Sequence, residues 1–513
     1  MPSSRPNILF ITTDQQRFDH LGFKGLDAIS TPHLDRLAKE GIHFDRAYCP
    51  SPICTPTRVS LLTGRYPSSH GAYTIGVTPK PFPGPTLPER LGLNGYRTAL
   101  FGKTHFVRRE DEASHMFQGK TPDSNIFHHW HGPYLGFQEI ETSTGHTTNN
   151  VPAMHYRAFL ERAGVDYREW FPQMRGAYNH HACGAWDIPS QYHDSHWVAD
   201  RTNAFIRRQT QDEPWFCWTS FQDPHEPHLC PEPWFGKVQT DKLSLYEGYR
   251  PGEFDSKPEI YRMCLEKDFG PLNDAIGAPK TLGGAIRDEA TVPSCFGEPD
   301  KDAQAMTALQ ATLGMIAFLD DRLGAILDTL KETGQDENTI VVWTSDHGEM
   351  HGHHGLWGKG LPAFEDAQRV PLIIWAPNRF PARGSIEGLA NLVDLPRTFL
   401  KQAQTPIPEC WQGQDLSPVL EATADTVQDA VLIELRATEK TLNQHTLVTD
   451  RFKLVVYKHT EEAELYDLKT DPNQYTNLWN DAAYANERHA LLLRLAQFHM
   501  EREPIGPKRV SFA

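Results

Sequence analysis

The strongest constraint on the fold is a set of short, nearly continuous apolar runs, each typical of a strand buried on both faces. They span residues 7–13, 97–101, 215–221, 339–344 and 371–375. Helical patterns alternate with them. The clearest, at residues 303–333, carries an apolar stripe and is stopped by Gly334. This alternation predicts an α/β fold in which a large mixed, mostly parallel sheet is sandwiched by helices.

Four of these runs lead into ionisable residues. In chain order these residues are Asp14, then Lys103 with His105, then Asp223 with His225, then Asp346 with His347. Open α/β sheets bind ligands outside the carboxyl ends of their strands, so these side chains are expected to meet at one edge. A single such residue would ordinarily be structural. Convergence from four strands predicts an active site.

The segment Cys54-Thr55-Pro56-Thr57-Arg58, followed by Leu62-Thr63-Gly64-Arg65, predicts a short helix that begins at a cysteine and ends at Gly64. The N-terminus of a helix favours an anion. Arg58, one turn later, can direct its guanidinium at the same anion. The segment therefore predicts a reactive cysteine that faces an oxyanion. The alternative is a buried cysteine near a loop.

Composition restricts the partners and the compartment. A net charge of −16 over 513 residues argues against nucleic acid and anionic membranes, so an anionic substrate needs a local cationic pocket. No apolar run approaches the ~18 residues that span a bilayer, and no apolar signal region precedes the first run. Eight scattered cysteines without zinc-ligand spacing indicate reduced thiols. We therefore expect a cytoplasmic protein.

Two regions depart from the alternating pattern. Residues 105–200 form a long insertion rich in His, Trp and Tyr, with adjacent histidines at 128–131 and 180–181. These lack regular ligand spacing, so a substrate wall or plain surface is favoured over a metal site. From residue 406, short apolar runs predict a smaller antiparallel sheet. A closing helix at 482–501 carries an apolar face of Leu491, Leu492, Leu495 and Phe498. We therefore divide the chain into a catalytic domain, 1–405, and a C-terminal α+β subdomain, 406–513.

The residue types at the predicted sheet edge suit a metal and an anion. Asp14, Asp346 and His347 are ligands of the kind that hold one divalent cation, and two buried carboxylates would be costly without one. Cationic side chains grouped there would neutralise a tetrahedral anion, and a histidine would donate a proton to a leaving alcohol. The candidates for these roles are Arg58, Lys103, His105, His225 and Lys359.

The Cys-x-Pro-x-Arg pattern with the downstream Thr-Gly-Arg resembles the signature of the type I sulfatases, a branch of the alkaline phosphatase superfamily. The resemblance extends from Asn7 to about Leu478. It implies that a formylglycine-generating enzyme oxidises Cys54 to formylglycine. It also implies one divalent metal, with Ca²⁺ expected and Mn²⁺ as the alternative. The implied metal ligands are Asp14, Gln15, Cys54, Asp346 and His347.

The implied function is hydrolysis of small anionic sulfate monoesters. A hydroxyl of the hydrated aldehyde attacks sulfur and expels the alcohol, and the second hydroxyl then ejects the inorganic group as the aldehyde re-forms. Arg58 and Lys103 would hold the diol, His225 and Lys359 would bind the transferred group, and His105 would assist proton transfer. Gln15 stands where many sulfatases have a second Asp, and His347 replaces the Asn of some. Related phosphonate monoester hydrolases share both departures, so phosphonate monoester or phosphodiester hydrolysis is the alternative.

Two hypotheses come from other functional classes. A binding protein with the same fold would keep Cys54 unmodified and use the metal as an anion receptor. A thiol redox protein would need a resolving cysteine, for which Cys49 is the nearest candidate, although no Cys-x-x-Cys spacing is present. The alcohol portion of the substrate and the formation of a homo-oligomer stay open.

Overall fold

The computed structural model describes residues 5–118, 120, 124–143, 152–171, 183–266, 301–436, 443–458 and 460–503. The strands are β1 (Asn7–Thr13), β2 (Ile42–Tyr48), β3 (Arg97–Lys103), β4 (Glu139–Ser143), β5 (Cys183–Trp186), β6 (Trp215–Ser220), β7 (His228–Pro231), β8 (Thr339–Ser345), β9 (Arg369–Val370), β10 (Leu372–Trp375), β11 (Gly384–Asn391), β12 (Ala430–Arg436), β13 (Asn443–Thr449), β14 (Phe452–Tyr457) and β15 (Ala463–Asp467).

The helices are α1 (Pro32–Glu40), α2 (Cys54–Thr63), α3 (Pro67–His70), α4 (Leu87–Leu93), α5 (Arg109–Met116), α6 (Met154–Arg162), α7 (Asp194–Arg208), α8 (Trp234–Lys237), α9 (Glu259–Glu266), α10 (Lys301–Glu332), α11 (Glu365–Gln368), α12 (Asp394–Gln402), α13 (Ser417–Leu420) and α14 (Ala485–Glu501). Within the described residues, no helix is both long and apolar enough to cross a membrane.

A nine-stranded sheet forms the centre of the molecule. Its strand order is β11-β2-β10-β8-β1-β6-β3-β4, with β9 beside β2. The strands β8, β1, β6, β3 and β4 run parallel to one another, and β2 runs parallel to β11. In contrast, β10 is antiparallel to both β2 and β8. The sheet is therefore mixed and mostly parallel, which confirms the predicted fold class.

Burial on both faces explains the uninterrupted apolar sequences of the central strands. Along β1, Ile8 and Phe10 pack into the core on one face of the sheet, and Leu9 and Ile11 pack into the core on the other. Helices α7 and α10 cover this second face with Phe205 and with residues such as Leu323, Ile326 and Leu330. A parallel sheet needs such cover because neither face can be left to water.

Three features of the sheet differ from the simplest expectation. The run at 371–375 forms an antiparallel strand, β10. Strand β2 carries His43, Asp45 and Arg46 at half-buried positions, so its sequence lacks a continuous apolar run. Strand β4 comes from the segment predicted as an insertion, yet it pairs with β3 at the edge of the large sheet.

The C-terminal part contains the predicted antiparallel sheet, in the order β12-β13-β14-β15. Helix α14 packs on it through Leu491, Leu495 and Phe498. Leu492 is 37% exposed, so its predicted place on the apolar face was wrong. Trp411 packs into a core of the large sheet although it follows the predicted domain boundary. The division at residues 405 and 406 stays a prediction.

Candidate active site

The register of two parallel strands brings the two key carboxylates together. β1 and β8 are neighbours, and Thr13 lies opposite Ser345. The next residue on each strand is therefore an aspartate at the same edge, and the backbone N–H of Asp346 donates to Thr13 O at 3.2 Å. Both aspartate side chains are fully buried. Two buried carboxylates this close require compensating positive charge.

Helix α2 places Cys54 at its first position, beside these carboxylates. The helix ends at Gly64, whose φ of 63° is the left-handed conformation that glycine adopts without strain. At the other end, the Thr57 hydroxyl donates to Ser51 O at 2.6 Å and ties the first turn to the preceding loop. Cys54 Sγ lies 3.5 Å from Asp14 Oδ1 and 3.0 Å from His347 Nε2. The predicted helix N-terminus and thiol position are therefore found.

Asp14, Cys54, Asp346 and His347 form a buried cluster whose ligand atoms all lie within 4.8 Å of one another. His347 Nδ1 is 3.0 Å from Gly348 O, which can only accept, so Nδ1 carries a proton, and in the neutral imidazole that a metal requires Nε2 presents a lone pair. That lone pair faces the Oδ1 atoms of Asp14 and Asp346 at 3.4 and 3.5 Å. Electron-rich atoms facing one point repel each other unless a cation lies between them. The donor set fits one divalent cation, with a carbonyl behind the histidine as in known metal sites.

Fixed cations bind the far oxygen of each carboxylate. Lys103 Nζ pairs with Asp14 Oδ2, and Arg58 Nε pairs with Asp346 Oδ2 at 2.8 Å. These ion pairs hold the other oxygen of each aspartate, Oδ1, toward the position between the ligand atoms of the cluster. Arg58 Nη1 also donates to Ser220 Oγ at 2.8 Å. This strand edge is tightly packed, since a Cβ on Gly102 would lie 1.9 Å from Ser220 O.

A third cation, Lys359, lies beside the thiol together with His225. Lys359 Nζ is 3.2 Å from Cys54 Sγ and 2.8 Å from His225 Nε2. The exposed fractions of Lys359, His225 and His105 are 4%, 7% and 8%, whereas Cys54 is fully covered. Of the site residues named so far, these three therefore retain the most exposure.

The surrounding charges change the acidity of the groups in the site. Burial and the Asp14 carboxylate would raise the pKa of the Cys54 thiol, but Lys103, Lys359 and His347 hold it well below its ordinary value. Burial lowers the pKa of His105 to about 4, against the opposing effect of its contact with Cys54. The pocket therefore favours negative charge at position 54 and a neutral imidazole at His105.

The structure brings all the predicted site residues to one place. Gln15 differs in detail from the prediction, because its side-chain carbonyl accepts from Lys359 Nζ at 2.7 Å. Its role as a metal ligand, like the roles of the other residues, stays a prediction. The described histidines of the 128–131 stretch lie elsewhere: His128 is 3.0 Å from Glu161, and His131 is 3.5 Å from Glu141. The histidines at 180 and 181 lie outside the described residues.

Three site residues were not predicted: Ser220, Glu226 and Glu349. Ser220 ends β6 at the same sheet edge and could have been found from that position. Glu226 adjoins His225, and Glu349 follows Asp346-His347 by two residues. Acidic residues in loops are common, so no sequence signal separates these two from the others.

Known proteins with the same sequence pattern and fold place the chain in a family. The sulfatase family model matches residues 6–405, and a second, described as N-sulphoglucosamine sulphohydrolase, C-terminal, matches residues 352–501. An arylsulfatase of Clostridium perfringens (strain 13 / Type A) is 29% identical over 502 residues, covering 94% of this chain and 91% of the relative.

Two solved structures share the fold. Phosphonate monoester hydrolase SpPMH from Silicibacter pomeroyi has a TM-score of 0.75 at 23% identity, covering 97% of this chain and 96% of its own. The structure of BT4656 in complex with its substrate D-glucosamine-2-N,6-O-disulfate has a TM-score of 0.71 at 21% identity, covering 98% and 99%. At these identities the likeness shows the fold alone. Since the family model spans most of the sequence, the chain belongs to the sulfatase family of sulfuric ester hydrolases, within the alkaline phosphatase superfamily.

Proposed function

We propose that this protein hydrolyses sulfate monoesters with a formylglycine derived from Cys54 and one divalent metal. The observation that carries the proposal is the convergence of Asp14 Oδ1, Asp346 Oδ1 and His347 Nε2 on Cys54 Sγ, inside a ring of fixed cations. The thiol sulfur marks the position that the formylglycine oxygens would take after maturation by a formylglycine-generating enzyme. Oxidised residue 54 would supply the nucleophilic hydroxyl.

Asp14, Asp346 and His347 would hold the cation, for which we propose Ca²⁺, with Mn²⁺ as the alternative. When bound, the cation would supply Lewis-acid polarisation and favour the deprotonated nucleophile. Arg58 and Lys103 already fix the carboxylates, and they would hold residue 54 in its reactive form. Lys359 and His225 lie beside residue 54 and retain slight exposure, so they would bind the transferred anion and compensate the charge that develops on it. His105, neutral in this pocket, would assist proton transfer.

Phosphonate monoester or phosphodiester hydrolysis is the second candidate. The observation that favours it is Gln15, which stands beside the metal cluster where a second aspartate would add negative charge. Sulfate monoesters, phosphonate monoesters and phosphodiesters are all monoanions, so charge does not separate them. The support is the resemblance, since related phosphonate monoester hydrolases also carry Gln at this position. The same nucleophile and the same cations would serve either reaction.

The experiment compares hydrolysis of 4-nitrophenyl sulfate and of a phenyl phosphonate ester by protein coexpressed with a formylglycine-generating enzyme. The mass of the peptide that contains residue 54 is measured on the same sample. We expect a lighter peptide and faster hydrolysis of the sulfate, with activity abolished in Cys54→Ala and kept in the matched control Cys49→Ala. A large preference for the phosphonate would select the second candidate. An unshifted peptide mass, with anion binding but no turnover, would favour the receptor hypothesis.

A further inference from the structure

Three buried histidines from separate parts of the described chain lie in contact. His20 follows β1, His228 begins β7, and His351 lies in the loop between β8 and β9. The ring centroid of His351 is 5.2 Å from that of His20 and 5.3 Å from that of His228. We call these three residues the histidine cluster. None of them belongs to the metal cluster at the sheet edge.

His20 is held by a hydrogen-bond chain that fixes its tautomer. Tyr246 Oη donates to Asp19 Oδ2 at 3.3 Å, since a carboxylate can only accept. The same hydroxyl oxygen lies 2.9 Å from His20 Nε2, so it accepts from that nitrogen. In the neutral ring, the lone pair of His20 therefore lies on Nδ1. That atom is buried and has no hydrogen-bond partner among the described residues.

His228 is fixed in a similar way, through its other nitrogen. Thr312 Oγ1 donates to Ala308 O at 2.9 Å, since a carbonyl oxygen can only accept. It therefore accepts from His228 Nδ1 at 3.0 Å, and the neutral ring carries its lone pair on Nε2. Histidines that bind metals usually donate their other ring N–H to a fixed acceptor. His20 and His228 both have this arrangement.

His351 contacts both of these rings, and neither of its ring nitrogens has a hydrogen-bond partner in the part of the chain that the structure describes. Burial without partners is costly for both nitrogens of a neutral imidazole. Its φ of 47° lies in the left-handed region, which residues other than glycine adopt mainly where the surroundings impose it. Burial lowers the pKa of His351 well below its ordinary value and the pKa of His20 to about 3. Both rings are therefore neutral near pH 7, which is the form that binds metals.

We propose that the histidine cluster is a second metal site, which binds Zn²⁺ or a similar transition-metal ion through three neutral imidazoles. Imidazole nitrogens suit zinc, copper and nickel, whereas the carboxylates of the metal cluster at the sheet edge suit calcium. A tetrahedral ion at about 2.0–2.1 Å from each nitrogen places neighbouring ring centroids roughly 5 Å apart. The two observed centroid distances are close to this value.

Binding requires the rings to turn. No choice of one nitrogen from each ring puts all three within 4.8 Å of one another. His351 can rotate about its χ2 bond without breaking a hydrogen bond of the ring, so it is the residue expected to move. The bound ion would then link three segments that also carry Gln15, His225 and Lys359.

The test measures zinc bound per chain by equilibrium dialysis and elemental analysis. The parent protein is the full chain with Cys54→Ala, which removes the thiol as a zinc ligand, and excess Ca²⁺ fills the metal cluster at the sheet edge. We expect about one zinc per chain. In His351→Asn, affinity should fall by more than the roughly 10–100-fold that loss of an outer partner costs, since a ligand itself is removed. Asparagine tolerates the left-handed backbone at this position, so the loop keeps its conformation.

Two further variants separate the loss of a ligand from a general effect. His20→Gln keeps a donor for Tyr246 Oη and removes the ligand nitrogen, so it should also lose zinc. The matched control is His445→Gln, which removes one member of another pair of adjacent histidines. His445 Nδ1 lies 3.1 Å from His499 Nε2. This control should bind zinc as the parent protein does.

Absence of zinc binding by the parent protein would overturn the proposal, as would equal binding by the parent, His351→Asn and His20→Gln. If only one of these two variants loses zinc, anomalous diffraction at the zinc edge from crystals of the parent decides. A peak within bonding distance of all three rings supports the site. A peak elsewhere, or ordered water alone, refutes it.

Discussion

Two clusters of buried histidine and acidic side chains differ in which carboxylate oxygen a neighbouring Lys or Arg side chain binds. The first is the active-site cluster of Asp14, Cys54, Asp346 and His347. The second, which we call the loop cluster, consists of His353, His354 and Asp366. Both offer at least three ligand atoms within 4.8 Å of one another. By composition alone, either would pass as a metal site.

In the active-site cluster, the fixed cations Lys103 and Arg58 take Oδ2 of the aspartates and leave both Oδ1 atoms for the shared point. In the loop cluster, Asp366 Oδ1 accepts from both Arg17 Nη1 at 2.7 Å and His353 Nδ1 at 2.9 Å. A guanidinium thus already lies where a metal would have to bind. The comparison teaches that a metal site is defined by which carboxylate oxygen the protein's own cations leave available.

The largest expected effect is the loss of metal from Asp14→Asn. This change removes a ligand of the active-site cluster, so activity should fall by more than the roughly 10–100-fold seen when a partner of a metal ligand is removed. Metal per chain is measured by elemental analysis together with hydrolysis of 4-nitrophenyl sulfate. Asp366→Asn is the matched control and should keep its metal. Retention of the ion by Asp14→Asn, or its loss from Asp366→Asn, would contradict the proposed difference between the two clusters.

The second effect is on stability. Asp366→Asn leaves the buried Arg17 guanidinium, which is 2% exposed, without one of its two carboxylate partners. Breaking a buried ion pair from one side costs about 3–5 kcal/mol. Asp19→Asn removes the other partner, whose side chain is 29% exposed, and should cost less. Urea unfolding gives both free energies. If Asp19→Asn lowered the free energy of unfolding more than Asp366→Asn does, the main carboxylate partner of Arg17 would lie outside the loop cluster.

The smallest effect is the pH dependence of that loss. Burial opposes ionisation of Asp366, but Arg17 and His353 hold its pKa below the ordinary 3.8. A carboxylate with a depressed folded-state pKa contributes its full stability above the unfolded-state pKa, and the contribution falls as pH drops through the folded-state value. The penalty of Asp366→Asn should therefore be constant between about pH 8 and 5 and shrink below about pH 4. Urea unfolding at pH 7, 5 and 3.5 measures it, and a penalty that grows in acid would contradict the ion pair.

Sequence reasoning located the active-site cluster because its signals are local. Asp14 and Asp346 each end a continuous apolar run, and parallel pairing of those runs brings the two side chains together. Cys54 begins a helix that its own segment predicts. The β2 strand escaped prediction because alternate polar residues, held half-buried near the sheet edge, hide its pattern.

The remaining parts of the site depend on contacts between distant segments. Gln15 meets Glu226 and Glu349 across 211 and 334 residues of sequence. No local pattern encodes such pairings. The loop cluster shows the same limit. Its dipeptide His353-His354 resembles Asp346-His347 in sequence, and only the structure shows that Arg17 binds the carboxylate of this cluster. Exposure of Leu492 was missed for a related reason, since a helix pattern cannot show how far the packed face extends around α14.

Removal and restoration of the metal tests the central claim most directly. Mature enzyme, with residue 54 shown by mass to be the aldehyde, is stripped with a chelator and assayed on 4-nitrophenyl sulfate before and after addition of Ca²⁺. We predict that the stripped enzyme is inactive and that about one equivalent of cation restores hydrolysis, as expected of a single site built from Asp14, Asp346 and His347. Undiminished hydrolysis by the stripped enzyme would contradict a metal-dependent sulfatase site at this sheet edge.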